Sequence, residues 1–266
     1  MMRIVSLLFH DVFVREPLES GFSSASANRY KLALRSFDDQ LAHLVGSIRD
    51  SPVMAADLAN ASDRAETRFV MTFDDGGVSY YTSVADRLEA LGWRGHCFVT
   101  TDRIGSRGFL SARQIHELDV RGHAIGTHSA SHPARFSMCR QDEMSWEWTR
   151  SRNVLEDLLG HPVTIASLPG GYFSGKVART AAEAGLRVLF TSTPTTRLRQ
   201  IDGCTVVGRY AIRSGCSPEF AAQLARVSPW ARLSVWTSWN AKSLPKKALG
   251  SSYSRVADWI ASRVEL

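Results

Sequence analysis

The sequence has few cysteines, no long apolar run and no glycine-rich phosphate loop. No stretch approaches the roughly 18 apolar residues that a membrane-spanning helix needs. Neither the GxGxxG nor the GxxxxGKS/T pattern occurs, so a nucleotide-binding loop has no support. Four cysteines form neither a CxxC pair nor a disulfide framework: Cys97, Cys139, Cys204 and Cys216. These absences favour a protein with free thiols, and the reducing cytoplasm is its expected compartment.

Charge is unevenly distributed along the 266 residues. The net charge is +6, from 32 Lys and Arg against 26 Asp and Glu. Residues 226–266 alone contain seven basic and two acidic side chains, together with four of the seven tryptophans. The rest of the chain is nearly neutral, which argues against a nucleic-acid binder with a basic face. We therefore expect one domain over residues 1–225 and a basic extension over 226–266. The extension either packs on the domain or contacts an anionic membrane surface.

Short β-rich runs alternate with helical patterns along the chain. Seven runs predict strands: Arg3–Phe9, Arg68–Phe73, Gly95–Thr100, His123–Thr127, Val163–Ser167, Leu186–Thr191 and Cys204–Ile212. Four helical patterns end at a glycine: Gly92, Gly122, Gly160 and Gly185. A further amphipathic helix is expected over Leu32–Ile48. This alternation predicts a mostly parallel sheet, either a closed βα barrel or an open doubly wound sheet.

Two adjacent carboxylates, Asp74 and Asp75, follow the second predicted strand in the sequence TFDDG. Parallel βα folds build their active sites at the C-terminal ends of strands. Adjacent carboxylates repel each other unless a cation or a proton relieves them. The pair therefore indicates either a cation-dependent site or an acidic cap on the next helix, followed by a glycine turn.

Three histidines also stand at predicted strand ends. His128 and His132 follow the strand at His123–Thr127, and with four-residue spacing on one helical turn both imidazoles can reach one metal ion. His10, followed by Asp11, ends the first strand and would point at the same rim. Each histidine alone is as readily an ordinary turn residue, but their common position favours a metal site.

This set of side chains predicts hydrolysis of an amide or ester. One Asp and two His form a three-ligand metal site with room for water or substrate. A bound zinc ion lowers the pKa of its water to about 7 and polarises a carbonyl oxygen. The second carboxylate can take a proton from that water, and a histidine across the site can protonate the leaving amine.

The motifs resemble those of the polysaccharide deacetylase family, also called carbohydrate esterase family 4 or the NodB-homology domain. The resemblance covers Arg68 to about Thr191 and rests on TFDDG, GHAIGTHSASHP and the LPGG turn at Leu168–Gly171. It implies a distorted (β/α)7 barrel and a divalent metal, most often zinc. It also implies removal of acetyl groups from N-acetylated sugars.

The resemblance further implies a role for each site residue. Asp74 corresponds to the catalytic base. Three residues correspond to the metal ligands: Asp75, His128 and His132. The turn after the fifth predicted strand supplies the oxyanion and substrate contacts, through the backbone amide of Gly170 and through Tyr172.

Two features depart from the family pattern. Most members carry an arginine that orients the base at the start of the third motif, where this sequence has Ser167 and Leu168. Most also carry the acid histidine in a late Leu-x-His motif, and none follows Gly185. Circularly permuted relatives that act on poly-N-acetylglucosamine have this histidine near the N-terminus, in a motif resembling Leu8–Val12. This likeness assigns the acid to His10.

The sequence therefore predicts a metal-dependent deacetylase of an N-acetylated polysaccharide or glycan precursor, in a context such as exopolysaccharide synthesis. Two alternatives remain open. The missing arginine is compatible with an inactive barrel module of a glycan-assembly complex. The same site would also suit an amidase that acts on an N-acyl substrate other than a sugar.

Overall fold

Strands and helices alternate in the computed structural model, which describes residues 3–48, 50–59, 67–237 and 239. The strands are β1 (Arg3–Phe9), β2 (Val12–Phe13), β3 (Leu32–Ala33), β4 (Thr67–Phe73), β5 (His96–Val99), β6 (Ala124–Thr127), β7 (Ile165–Ser167), β8 (Val188–Phe190), β9 (Arg199–Ile201), β10 (Cys204–Val207) and β11 (Tyr210–Ala211). The helices are α1 (Ala25–Asn28), α2 (Leu34–Val45), α3 (Ala55–Ala59), α4 (Ala85–Ala90), α5 (Ala112–Val120), α6 (Gln141–Leu159), α7 (Gly175–Glu183) and α8 (Pro218–Ala225). A further helical stretch covers residues 229–237.

Nine of these strands form one curled sheet, in the order β11-β1-β4-β5-β6-β7-β8-β10-β9. All neighbours pair in parallel except β9, which runs antiparallel to β10. β10 pairs with β8, whereas β11 pairs with β1 at the opposite end of the sheet. Because only Gly208 and Arg209 separate β10 from β11, one short segment is bonded to both ends of the sheet. This half-barrel with outer helices confirms the predicted distorted βα barrel.

The sequence places most strands correctly but misjudges one. The run Cys204–Ile212 was expected to be one strand, and it is interrupted at Gly208 and Arg209. At Gly208 a Cβ would lie 2.4 Å from the carbonyl oxygen of Thr193, so only glycine fits where the chain leaves β8 and turns toward β1. The sequence also missed the short strands β2, β3 and β9, which are too brief to produce a recognisable alternation.

All four predicted helix ends are confirmed by left-handed backbone. Gly92, Gly122, Gly160 and Gly185 have φ values of 70°, 87°, 75° and 86°. This conformation costs little free energy only for a residue without a Cβ. Glycine after the last apolar position of the helical pattern therefore ends a helix sharply. At the other end, Ser111 begins α5 with a capping box in which its hydroxyl accepts from the Gln114 N–H. Helix boundaries are therefore encoded locally.

Aromatic packing fixes the ends of two central strands. Phe9 ends β1 and Phe73 ends β4; the two residues are register partners, and their rings stack at 5.3 Å between centroids. Phe37 on α2 contacts both rings edge-on, at 5.6 and 6.1 Å. All three side chains are buried. The residues that directly follow, His10 and Asp74, are therefore held on a rigid platform.

The described part of the basic extension packs on the barrel through small apolar side chains. Ala231 is buried, and Val227 and Val235 lie against the main hydrophobic cluster. In contrast, Trp230 and Leu233 are 79% and 49% exposed. The rest of the predicted extension, residues 238 and 240–266, lies outside the described residues. No described helix combines the length and apolar character needed to cross a bilayer.

The crossing at Gly208 generates a stability prediction. Gly208→Ala should destabilise the fold by about 1–3 kcal/mol, because the added methyl group meets a backbone carbonyl that cannot rotate away. Gly175→Ala is the matched control: no atom lies within 4 Å of its Cβ position in the first turn of α7, so its effect should stay within about 0.5 kcal/mol. Urea unfolding of both variants tests this. Equal stability of the two would contradict it.

Candidate active site

Four strand ends, those of β1, β4, β6 and β7, bring the predicted site residues to one edge of the sheet. Asp74 and Asp75 follow β4, and the Asp74 N–H donates to the carbonyl of Phe9 at 3.0 Å. This bond ties the loop after β4 to the residue just before His10. His128 follows β6, and its N–H donates to the carbonyl of Val99 on β5 at 2.8 Å. The side chains meet because parallel strands end on the same side of a sheet.

Three of the predicted residues converge on one point. The Asp75 Oδ1 atom lies 3.4 Å from His128 Nε2 and 3.6 Å from His132 Nε2. One donor atom from each residue lies within 4.8 Å of the others. Ligands about 2.0–2.2 Å from a tetrahedral ion are separated by about 3.3–3.6 Å. The spacing of these atoms therefore fits one divalent cation.

The ring of His128 is already set up as a ligand. Its Nδ1 lies 2.9 Å from the carbonyl oxygen of Ser167, which can only accept a hydrogen bond, so Nδ1 carries the proton. In the neutral ring the lone pair is then on Nε2, which faces Asp75. Metal-binding histidines commonly have their second nitrogen held in this way. The tautomer of His128, with the proton on Nδ1, is thus also the one that binding of a metal ion through Nε2 requires.

Strained backbone occurs at two ligand candidates, Asp75 and His132, and at Ser129 beside the third, so the helical turn expected to carry His128 and His132 is wrong. Asp75, Ser129 and His132 have φ values of 80°, 65° and 60°, in the left-handed region that residues with a Cβ rarely adopt. The described residues contain only two further cases outside glycine, Asp202 and Val227. Such strain persists where surrounding contacts enforce it, and it concentrates at functional sites.

Glu147 on α6 supplies one of these enforcing contacts. Its buried carboxylate accepts the N–H groups of Ala130 and Ser131, at 2.8 and 2.9 Å, and the Ser131 hydroxyl. Ala130 and Ser131 lie between the two ligand histidines. The loop is therefore tied to a helix rather than free to move, which favours preorganised ligands.

Asp74, the predicted base, is paired with an arginine that the sequence analysis did not identify. Arg209 Nη1 donates to Asp74 Oδ1 at 2.7 Å, and Nη2 donates to Oδ2 at 2.8 Å. Both side chains are buried. Nη2 also donates to the Ser167 hydroxyl at 2.8 Å, and the guanidinium carbon lies 5.9 Å from the ring centroids of both Phe98 and Phe190. This fork fixes the plane of the Asp74 carboxylate.

Arg209 takes the place of the arginine that is missing from the third motif. The expected position carries Ser167, and the orienting group arrives instead from the break between β10 and β11. The short Ser167 side chain becomes one of the hydrogen-bond partners of Arg209. The sequence does contain an indication of this role. Arg209 lies inside the apolar run VVGRYAI, and a charged side chain in a buried strand requires a partner.

His10, the predicted acid, lies beside this centre. Its ring packs against Tyr30 at 4.7 Å, and its buried Nδ1 has no hydrogen-bond partner among the described residues. Asp74 and Asp75 are close enough for their charges to act on its pKa. The structure therefore brings His10 to the same cleft as the paired carboxylates.

The next residue, Asp11, anchors the loop that carries His10. Its buried Oδ1 accepts the hydroxyls of Ser20 and Ser79, at 2.6 and 2.9 Å. Ser79 Oγ also accepts the Val12 N–H, at 3.1 Å. Burial raises the pKa of the Asp11 carboxyl to about 6. Asp11 thus joins the loop after β1 to the loop after β4, which carries the two site carboxylates.

The turn at Pro169–Gly171 lies next to the loop that follows His132. Gly170 has a φ of 68°, and a Cβ there would be 2.9 Å from the carbonyl oxygen of Ala134. Tyr172 is half-buried, and burial raises the pKa of its phenol. Gly170 therefore lies beside the loop that carries His132, and the oxyanion role of Gly170 and the substrate role of Tyr172 stay predictions.

Opposite effects set the histidine pKa values. Burial disfavours the charged His128 ring, but the charges of Asp74 and Asp75 outweigh burial, so its pKa lies above the ordinary value. Burial and the neighbouring His128 charge lower the pKa of His132 to about 4. Burial also lowers the pKa of His10. The paired carboxylates therefore favour positive charge on His128, whereas burial disfavours it on His132 and His10.

The buried fork between Asp74 and Arg209 generates a second prediction. Arg209→Met should lower the free energy of unfolding by about 3–5 kcal/mol, because it leaves Asp74 buried and unpaired. Adding Asp74→Asn should recover part of the loss, giving a coupling of about 0.5–3 kcal/mol in a double-mutant cycle. The exposed pair Arg179 and Asp202, 3.0 Å apart, is the control and should contribute under about 1 kcal/mol. Additive effects at the buried pair would refute this assignment.

Comparisons with known proteins agree with the fold and the motifs. The sequence model of the polysaccharide deacetylase family matches residues 61–189. The Bacillus subtilis protein YxkH, named as a polysaccharide deacetylase, is 24% identical over 153 residues, which are 58% of this chain and 54% of YxkH. The alignment thus spans about half of that relative.

Solved structures extend the likeness over most of the chain. IcaB from Ammonifex degensii superimposes with a TM-score of 0.66 and 21% identity, covering 86% of this chain and 97% of IcaB. The Streptococcus pyogenes deacetylase PplD gives a TM-score of 0.65 and 20% identity, covering 82% and 95%. At these identities the superpositions establish the fold. The chain is therefore similar to the polysaccharide deacetylase family over residues 61–189 and shares the fold of these two structures over most of its length.

Proposed function

We propose that this protein is a metal-dependent hydrolase that removes N-acetyl groups from an N-acetylated polysaccharide or glycan precursor. The observation that carries the proposal is the convergence of three ligand candidates beside a buried, arginine-held carboxylate. The assigned ligands are Asp75, His128 and His132, and the donor set of two imidazoles and one carboxylate suits Zn²⁺. Asp74 acts as the base and His10 as the acid.

The protein groups supply the proton transfers. A bound divalent ion would polarise the acetamide carbonyl and acidify a water molecule. Asp74 accepts a proton from the attacking water, since Arg209 keeps its carboxylate ionised and oriented. The backbone N–H of Gly170 donates to the developing oxyanion. His10 donates a proton to the amine nitrogen as the C–N bond breaks, releasing acetate and a free amino sugar.

Two further points support this reaction and the circularly permuted type. PplD is named a deacetylase and its structure was solved in complex with acetate. The acid candidate His10 precedes the TFDDG motif along the chain, as in the permuted relatives, and IcaB is among the structures that superimpose well. The proposal therefore places the substrate among N-acetylglucosamine polymers.

Acetate release tests the proposed function. The protein, stripped of metal with a chelator, should release acetate from N-acetylglucosamine oligomers only after Zn²⁺ or Co²⁺ is added. Asp74→Asn should reduce the rate by about 10²–10⁴, the usual loss for a general base. Asp202→Asn, which changes an exposed aspartate, is the matched control and should retain the full rate. Equal activity of Asp74→Asn and the control would refute the assignment.

Metal analysis separates the alternatives. We expect one divalent ion per chain, and its loss in His128→Ala. A chain that binds no stoichiometric metal and releases no acetate would be the inactive barrel module. Metal binding combined with release of an acyl group only from non-sugar amides would indicate the amidase.

We also propose that the basic extension contacts an anionic membrane surface. Trp230 and Leu233 are exposed on the stretch 229–237, close in sequence to Arg226 and Arg232. Tryptophan and basic side chains together favour the interface of an anionic bilayer.

Sedimentation with lipid vesicles tests this contact. The full chain should sediment with phosphatidylglycerol vesicles and not with phosphatidylcholine vesicles. The double variant Trp230→Ala, Leu233→Ala should lose most of this binding. Val120→Ala, at an exposed apolar position on α5, should not. Equal binding to both lipids, or no effect of the double variant, would overturn the proposal.

A further inference from the structure

An aromatic wall stands beside the ligand candidate His132 and is not explained by the barrel core. The Phe22 ring lies 4.9 Å from the His132 ring and 5.1 Å from the Phe109 ring, which it meets edge to face. Neither phenyl ring belongs to the hydrophobic clusters of the described residues, and both are half-buried. The wall therefore presents apolar surface at the edge of the cleft.

Backbone bonds fix this wall relative to the metal side of the site. The Gly21 N–H, next to Phe22, donates to the carbonyl of Gly108 at 2.8 Å. The Val78 N–H donates to the same oxygen at 2.9 Å. Phe109 also forms a β-bridge with Gly77, two residues after Asp75. The loops that carry Phe22, Phe109 and the paired carboxylates are thus bonded to one another.

Arg103 covers this wall without an acidic partner. Its guanidinium lies 5.5 Å from the Phe22 centroid and 6.0 Å from the Phe109 centroid. No carboxylate pairs with Arg103 among the described residues, and the adjacent Asp102 pairs with Arg150 instead. The side chain is exposed, so its N–H donors are available at the rim.

The combination fits one ligand chemistry. A pyranose ring has an apolar face of C–H groups and an edge of hydroxyl oxygens. Aromatic rings bind the apolar face, and a guanidinium donates to the oxygens at the edge. A free anion would use the arginine but leave the two phenyl rings without a role.

We propose that Phe22, Phe109 and Arg103 form a sugar-binding subsite for a residue of the glycan next to the one being deacetylated. The proposal rests on the proposed function, because it assumes that the cleft takes an N-acetylated glycan. It adds that these three side chains contact the neighbouring sugar unit of that glycan.

Binding of oligosaccharides of different length tests the subsite separately from catalysis. Calorimetric titration compares N-acetylglucosamine with its tetramer, in the metal-loaded wild-type protein at a temperature where turnover is slow and in Asp74→Asn. We expect tighter binding of the tetramer than of the monomer. Arg103→Ala and Phe22→Leu should each weaken tetramer binding about three- to tenfold and change monomer binding less than about twofold.

Two further variants distinguish a subsite from a structural role. Phe22→Trp keeps an aromatic face and should retain tetramer binding, which a loss of packing around His132 would not explain. Trp146→Ala, at another exposed aromatic residue beside an arginine, should leave both ligands unaffected. For the acetate assay, the same variants should raise KM for the tetramer with little change in kcat.

Each outcome is decisive. Equal weakening for monomer and tetramer, no weakening by either variant, or wild-type binding that does not increase with chain length would overturn the subsite. If the protein binds the tetramer through these residues but releases no acetate, the proposed reaction fails and the subsite stands. If it releases acetate with no length preference, the reaction stands and the subsite fails.

Discussion

The pairing of Asp74 with Arg209 is the interaction on which the rest of the site depends. Two adjacent carboxylates in a buried cleft cannot both stay ionised without compensation. Arg209 compensates one of them through a two-pronged hydrogen bond and leaves Asp75 facing two imidazoles. The charge that remains is therefore located at the point where three ligand atoms converge. Asp74 and Asp75 are adjacent residues with the same side chain. Of the two, the Arg209 guanidinium binds only Asp74, so Asp75 is the carboxylate that faces the histidines.

The same interaction links the chemistry to the closure of the barrel. Arg209 reaches Asp74 only because the chain leaves β8 after β10, turns at Gly208 and joins β1 as β11. An uninterrupted strand would have continued beside β8 and would have left the two ends of the sheet unconnected. The break thus serves both purposes: it brings one segment to both ends of the sheet and directs a buried arginine into the cleft. A change that shifts this crossing should disturb stability and base orientation together.

The sequence predicted what depends on local chemistry and missed what depends on the closed sheet. Strand positions, the four glycine helix ends, and the common edge shared by Asp75, His128 and His132 all follow from short-range patterns. Arg209 could not be assigned, since its partner lies 135 positions away along the chain and the family pattern pointed to Ser167. Phe22 was also missed, because it lies in a polar stretch without periodicity, where only the folded loops bring it to His132.

The ligand loops contain strained backbone, and hydrogen bonds to buried carboxylates hold them in place. Asp75 and His132 adopt left-handed backbone, which costs about 1–3 kcal/mol for each such residue. Buried carboxylates offset this cost from outside the ligand set: Glu147 holds the histidine loop, and Asp11 connects the loops after β1 and β4. These hydrogen bonds are made by protein groups alone, which favours ligand positions that are set by the fold. The aromatic wall is attached to the same set of loops. A sugar bound there would therefore be positioned against a rigid centre, and binding energy gained at a neighbouring unit could orient the acetamide group at the reacting one.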